Sequence, residues 1–412
     1  MSAILFTNAT LFDGVGPDLA RGAQVLVADG VIQEVSDGAL KPAGGAEVID
    51  LGGRTLMPGL IDAHVHVWAT DLDILKLITR RTEYLAAFAY RSLAAMLDRG
   101  FTTVRDAGGT DVAYVQALAD GLAVGPRLLH SGRMLTQTGG HGDFRRPGEF
   151  SCACELRGGG ADRFVHVVDS PDEVRKAVRE ELRQGAHQIK IMGSGGVASP
   201  SDPIDRLQFS DAEISAAVEE AGRHGAYVMA HCHPPEAIRR CAELGVRSIE
   251  HATLIDQDGA DAVAANGAFV VPTLATIWAL LEDGAKLGLP PASQEKLKQV
   301  AGGVLQGLQV MRRSDLKVGF GTDLLGAQQD RQGTEFALRA QVFSPLEILR
   351  QATSINAELL RLDDRVGRVA PGYAADLIVV DGDPLADIAC LGQGGANLPV
   401  ILQAGRFHKR AI

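Results

Sequence analysis

The chain has 412 residues, 46 % of them hydrophobic and 22 % charged, with a formal net charge of −11 at pH 7. That length exceeds one ordinary core but suits an α/β barrel carrying a small extra domain. An acidic balance without a long basic run speaks against nucleic acid or an anionic membrane surface as partner, and no apolar run approaches the roughly 20 residues of a spanning helix.

The N-terminal MSAILFTNATLFDGVG lacks the basic segment, long apolar core and small-residue cleavage site of a secretory signal. AILFTNATLF, AQVLVADGVIQEVSD and AEVIDLGGRTLMPG then read as strands, with Asp29-Gly30 as a hairpin turn inside the second. From GLIDAHVHV onward strands alternate with helical patterns, which predicts a parallel sheet with crossover helices. The candidate strands are GLIDAHVHV, TTVRDAGG, RLLHSG, QIKIMGSGG, YVMAHCH, SIEHATL, FVVPTL and KVGFGTD. Helices are expected in PDEVRKAVREELRQGA, in PPEAIRRCAELG and in FSDAEISAAVEEAGRHG, where Ser210 and Glu213 suit a capping box. A long loop at about 137–168 has the length of a functional lid. ADLIVVDGDP and LPVILQAGRFHK restore the strand pattern at the end. The expected architecture is α/β: a (β/α)8 TIM barrel over 59–364, and a small β-sandwich domain split between 1–58 and 365–412.

The strand ends hold the chemistry. Alternation puts His64 and His66 on one face of the first barrel strand. The fourth carries Lys190, the fifth His231, the sixth His251 and the eighth Asp323. Strand ends of such a barrel converge on one mouth. Neutral imidazoles and a carboxylate suit a zinc-like divalent ion. Four His and one Asp exceed a single tetrahedral catalytic site and suit two ions. A lysine between two isoleucines is costly to bury without a partner.

MPGLIDAHVHV, QIKIMGSGGV, MAHCH, SIEHATLID and GFGTD resemble the amidohydrolase superfamily, over the whole chain. The resemblance implies two divalent ions, expected to be Zn2+. One would be held by His64, His66 and Asp323, the other by His231 and His251. Lys190, carboxylated by CO2, and a hydroxide would bridge them. Burial lowers a lysine pKa, so its neutral amine can take up CO2. Asp323 would carry the proton from the attacking hydroxide to the leaving amine. IKIMGSGGVASPSDP, RDAGG and SGRMLTQTGGHGD look like the prolidase-like, imidazolonepropionase-related branch, which includes dipeptidases, carboxypeptidase-like enzymes and ochratoxin-degrading amidohydrolases. His141 and His233 are then expected to bind substrate or stabilise the oxyanion.

The resulting expectation is a binuclear zinc amidohydrolase cleaving a small N-acyl amino acid or dipeptide, with ochratoxin A hydrolysis to ochratoxin alpha and phenylalanine within its scope. The alternative is a mononuclear-metal deaminase or cyclic-amide hydrolase of the same superfamily. Relatives of this branch imply a homo-oligomer, an octamer among the forms. The five cysteines, Cys152, Cys154, Cys232, Cys241 and Cys390, form no disulfide-like framework. Cys152 and Cys154 read as packed or free thiols, and a reducing cytoplasm is the expected location. Glycines 193, 195 and 196 read as a turn approaching the substrate. Glu250 alternates away from the site, and Trp68, Trp278, Leu324 and Leu325 are expected to line an apolar pocket. Asp106 reads equally as support for the site or as plain structure. His130, His166, His187, His224 and His408 read as ordinary.

Overall fold

The computed structural model describes residues 3–40, 45–145, 163–199 and 202–412. Cys152 and Cys154, and the central part of the expected lid, lie outside these residues. Five N-terminal strands come first: β1 (Ile4–Leu11), β2 (Ala20–Ala28), β3 (Val31–Ser36), β4 (Glu47–Asp50) and β5 (Thr55–Pro58). Asp29 and Gly30 both take positive φ, 53° and 79°, and join β2 to β3 in the two-residue hairpin their identity favours.

Eight parallel strands build the barrel: β6 (Leu60–Val65), β7 (Phe101–Asp106), β8 (Arg127–His130), β11 (Ile189–Met192), β12 (Val228–Cys232), β13 (Ser248–His251), β14 (Phe269–Val271) and β15 (Lys317–Val318). Two three-residue strands stand between them in sequence, β9 (Met134–Thr136) and β10 (Val165–Val167), and pair beside β11. They fall at the start and end of the expected loop, too short for a periodicity to register. The two arcs of the barrel are joined by His187 N donating to His130 O at 2.8 Å, and by Ala63 N donating to Phe320 O at 2.8 Å.

The last strands, β16 (Leu377–Val380), β17 (Val400–Gln403) and β18 (Arg406–Arg410), return to the N-terminal sheet. β16 pairs antiparallel with β5, so both chain ends share one eight-stranded sheet in the order β18-β17-β16-β5-β1-β2-β3, with β4 beside β1. Its alternating apolar residues, among them Phe6, Val25, Ile32, Leu56, Val379 and Leu402, close on a core separate from that of the barrel.

Local signals hold where helices begin. Ser210 and Glu213 form the capping box of helix Asp211–Arg223, and Ser170 caps Pro171–Arg183. Between β14 and β15 the chain makes an excursion of three helices, Leu274–Asp283, Pro291–Ala301 and Val304–Arg313. No helix of the described residues is long and apolar enough to cross a membrane.

Candidate metal centre and substrate pocket

His64, His66, Lys190, His231, His251 and Asp323 all line one cavity at the mouth of the barrel, together with His141 and His233. His64 Nε2 and His66 Nε2 each lie 3.5 Å from Asp323 Oδ1. Donor atoms of His64, His251 and Asp323 fall within 4.8 Å of one another. His251 also faces the other side of the cluster, its ring 4.5 Å from that of His231. Behind His231 stand His141, stacked at 4.2 Å, and His233 at 4.6 Å.

Hydrogen-bond partners fix the proton-bearing nitrogen of His64, His66 and His231. His64 Nδ1 donates to Glu250 Oε2 at 2.6 Å, and His66 Nδ1 to the Gly108 carbonyl at 3.1 Å. His231 Nε2 donates to the Gly195 carbonyl at 3.2 Å. These partners only accept, so His64 and His66 keep a lone pair on Nε2 and His231 on Nδ1. His64 Nε2 is a buried nitrogen with no hydrogen-bond partner. Burial holds His64, His231 and His251 well below the ordinary imidazole range and brings His66 down to about 4. All four are therefore neutral at pH 7, the state that binds a metal. An orphaned acceptor among neutral imidazoles and one carboxylate fits a divalent cation.

Lys190 is 2 % exposed, and among the described residues no hydrogen-bond or ion-pair partner reaches its amine. Burial lowers its pKa, against the opposing pull of Glu250 and Asp323. Burial also raises Asp323 to about 7. His233 is brought to about 3 by burial, and its Nδ1 pairs with Thr253 Oγ1 at 2.7 Å.

Glu250 does not turn away from the site. It lies under it, bonded to His64 through one oxygen and to Arg105 Nη2 through the other at 2.9 Å. The strand period fails here because His251 has φ 68° and Ala252 φ 46°. A left-handed residue at a strand end lets neighbours at odd and even positions both face inward. Asp323 is likewise left-handed, at φ 53°. Such backbone costs about 1–3 kcal/mol per residue and persists only where the surroundings enforce it. Asp62 supplies part of that enforcement: its carboxylate accepts from Thr322 N at 3.2 Å and Thr322 Oγ1 at 2.6 Å, just before Asp323.

Asp106 proves to be a backbone anchor. It accepts from Val67 N and Gly108 N, both at 3.0 Å, and so holds the turn whose carbonyl orients His66. The glycines after Lys190 leave room for their neighbours. A side chain at Gly196 would strike His141 and His231, one at Gly195 would meet the Pro203 carbonyl, and one at Gly193 would meet Cys232 and Cys241.

The upper wall of the cavity is apolar, with Leu72, Leu77, Ile277, Leu280, Leu289 and Leu297 prominent. Trp68 and Leu325 line it as expected, and Trp68 stacks on Phe164 at 3.8 Å. Trp278 does not reach it: on helix Leu274–Asp283, Ile277 and Leu280 share the inner face and position 278 lies about 100° away. Leu324 packs instead with Ala275 and Ala279. Along the described lining, Lys190 is the one ammonium, Asp323 the one carboxylate, and arginine is absent.

Known proteins resemble the chain over nearly its whole length. The amidohydrolase family pattern matches residues 55–404. The chain is 32 % identical over 396 residues to ochratoxinase from Aspergillus niger, covering 92 % of this chain and 81 % of that one. A crystal structure of an amidohydrolase superposes with a TM-score of 0.96 at 47 % identity, covering 99 % of both chains. A prolidase complexed with N-methylphosphonate-L-proline superposes with a TM-score of 0.96 at 42 % identity, covering 99 % of this chain and 100 % of that one.

Proposed function

From the premise that this chain belongs to the amidohydrolase family and hydrolyses carbon–nitrogen bonds, we propose that its substrate is a small N-acyl amino acid or dipeptide, from which it releases the C-terminal amino acid. The observation that carries this reading is a cavity with a histidine-rich floor and an upper wall that, among the described residues, is apolar and without arginine. Such a wall favours an uncharged acyl group or an apolar side chain. An aryl amide of phenylalanine, the bond type of ochratoxin A, belongs to that class.

His64, His66 and Asp323 would hold one divalent ion, His231 and His251 the other, and Lys190, carboxylated on its amine, would reach both. Zinc suits these nitrogen and oxygen donors. When bound, the pair supplies Lewis-acid polarisation of the carbonyl and lowers the pKa of water towards neutrality. The chain's own residues do the remainder. Asp323 would take a proton at its carboxylate and pass it to the departing amine. Neutral His233, steadied by Thr253, and His141, steadied by Ser199 Oγ at 2.9 Å, would orient the substrate carbonyl or carboxylate. The apolar wall excludes water from the acyl side.

The test is a screen of metal-loaded protein against N-acyl amino acids and dipeptides, with release of free amino acid as readout. Turnover of N-acyl-phenylalanine, -leucine or -methionine is expected to exceed that of N-acyl-aspartate or -arginine. Failure to cleave any amide would reject the reading.

A further inference from the structure

Outside the ligand cluster, three segments distant in sequence meet at one buried carboxylate. Asp202 is 3 % exposed. Its Oδ2 accepts from Gly196 N at 3.0 Å and Gln208 Nε2 at 3.2 Å, and lies 3.4 Å from His141 Nδ1. Its Oδ1 lies 3.4 Å from the amine of Lys296. Lys296 stands on helix Pro291–Ala301, whose Leu297 and Val300 line the cavity. The same amine donates to the Gly196 carbonyl at 3.0 Å and to the Ser199 carbonyl at 2.9 Å. Ser199 Oγ in turn sits 2.9 Å from His141 Nδ1. His141 N donates to Gln208 Oε1 at 2.8 Å, which closes the ring of contacts.

An ammonium with three donors is thus spent on two carbonyls and one carboxylate of the segment that follows Lys190. Its side chain is only 12 % exposed, so the contacts are shielded and worth more than a surface ion pair. Lys296 is absent from the described cavity lining. It ties the apolar helical wall to the glycine segment, and that segment holds His141 through Ser199 and Asp202.

We infer that Lys296 is a positioning residue, a latch that sets the height of the helical wall over the metal floor and the direction of the His141 ring. Because it acts on groups that would bind substrate before reaction as well as during it, its loss falls on KM more than on kcat. The inference rests on the amide-hydrolase reading for its kinetic arm and on the structure alone for its second arm.

The experiment compares wild type, Lys296→Met and Lys296→Arg, all metal-loaded. Methionine keeps the bulk of the stem without the charge, while arginine can still donate to several acceptors. In Lys296→Met, kcat/KM is expected to fall about tenfold or more through KM, with metal content unchanged and the melting temperature lowered by the loss of the shielded contacts. Lys296→Arg is expected to recover most of the loss. A Lys296→Met enzyme within twofold of wild type, or one that loses metal, would overturn the latch. Should wild type cleave no amide, the substrate reading fails, and hydrogen exchange then judges the latch alone. Lys296→Met must speed exchange in 193–199 and also in 138–145, a segment Lys296 does not touch; unchanged exchange at 138–145 overturns it.

Discussion

The floor and the roof of the cavity are built on opposite principles. The floor is made of strand ends, where burial keeps four histidines neutral, three residues (His251, Ala252 and Asp323) are left-handed, and Glu250 and Arg105 form a fully buried ion pair beneath. The roof is made largely of helices Leu274–Asp283 and Pro291–Ala301 from the excursion between β14 and β15, joined by Leu72 and Leu77 from the stretch after β6, with one ammonium pinning it down. Floor positions admit little substitution because their histidines and Asp323 answer to directional partners and Lys190 stands buried among them. Roof positions answer to shape and area, which degrade gradually. On the proposed reading, the floor would govern whether reaction occurs and the roof on what.

Substitution at the floor gives the largest expected effect. Lys190→Ala is expected to lose bound metal and about a thousandfold or more in kcat/KM together; full activity would remove Lys190 from the metal set. Glu250→Gln comes next. It leaves the Arg105 guanidinium buried without its counter-charge, which costs about 3–5 kcal/mol of stability, and it loosens His64, for which a 10–100-fold loss of metal affinity is typical. Denaturant unfolding and metal titration read the two effects separately. A roof substitution, Leu297→Ala, is expected to leave metal content alone and shift the preference between phenylalanine and alanine at the released position by about tenfold. If it abolished all turnover instead, the division between floor and roof would collapse.

The smallest effect separates the floor from the body of the barrel. His130 is 1 % exposed, and burial lowers its pKa to about 4. The unfolded chain protonates this group near its ordinary value of 6.5, while the fold resists until about 4. Its contribution is therefore complete above about pH 6.5 and is lost as pH falls through that window. His130→Gln should flatten the acid limb of the stability curve measured between pH 7.5 and 4.5. An unchanged limb would place acid sensitivity elsewhere.

The floor was legible in the sequence because a barrel strand exposes its C-terminal residues at one mouth, so that His64, His66, Lys190, His231, His251 and Asp323 could be assembled from strand order alone. Glu250 was not, because alternation holds only for extended backbone and nothing in SIEHATL announces the positive φ of His251. Asp62 was hidden for a different reason: its bond to Thr322 spans 260 residues. The roof resisted most. Three helices placed by long-range packing carry no local mark of which face turns inward, so Trp278 was expected at the cavity and Ile277 and Leu280 were found there. Lys296, midway along an ordinary amphipathic helix, bears no sequence signal of its contact with Asp202.

On the proposed reading, this floor runs metal-dependent amide hydrolysis. It is tested most directly by one measurement: amino acid released from N-acetyl-L-phenylalanine per mole of protein, with metal content determined on the same sample before and after chelation. The account predicts close to two zinc ions per chain, free phenylalanine as product, and loss of both turnover and metal on chelation with recovery on zinc addition. One tightly held ion with ammonia released from a heterocyclic amine, and no phenylalanine from the amide, would contradict it and favour the deaminase alternative.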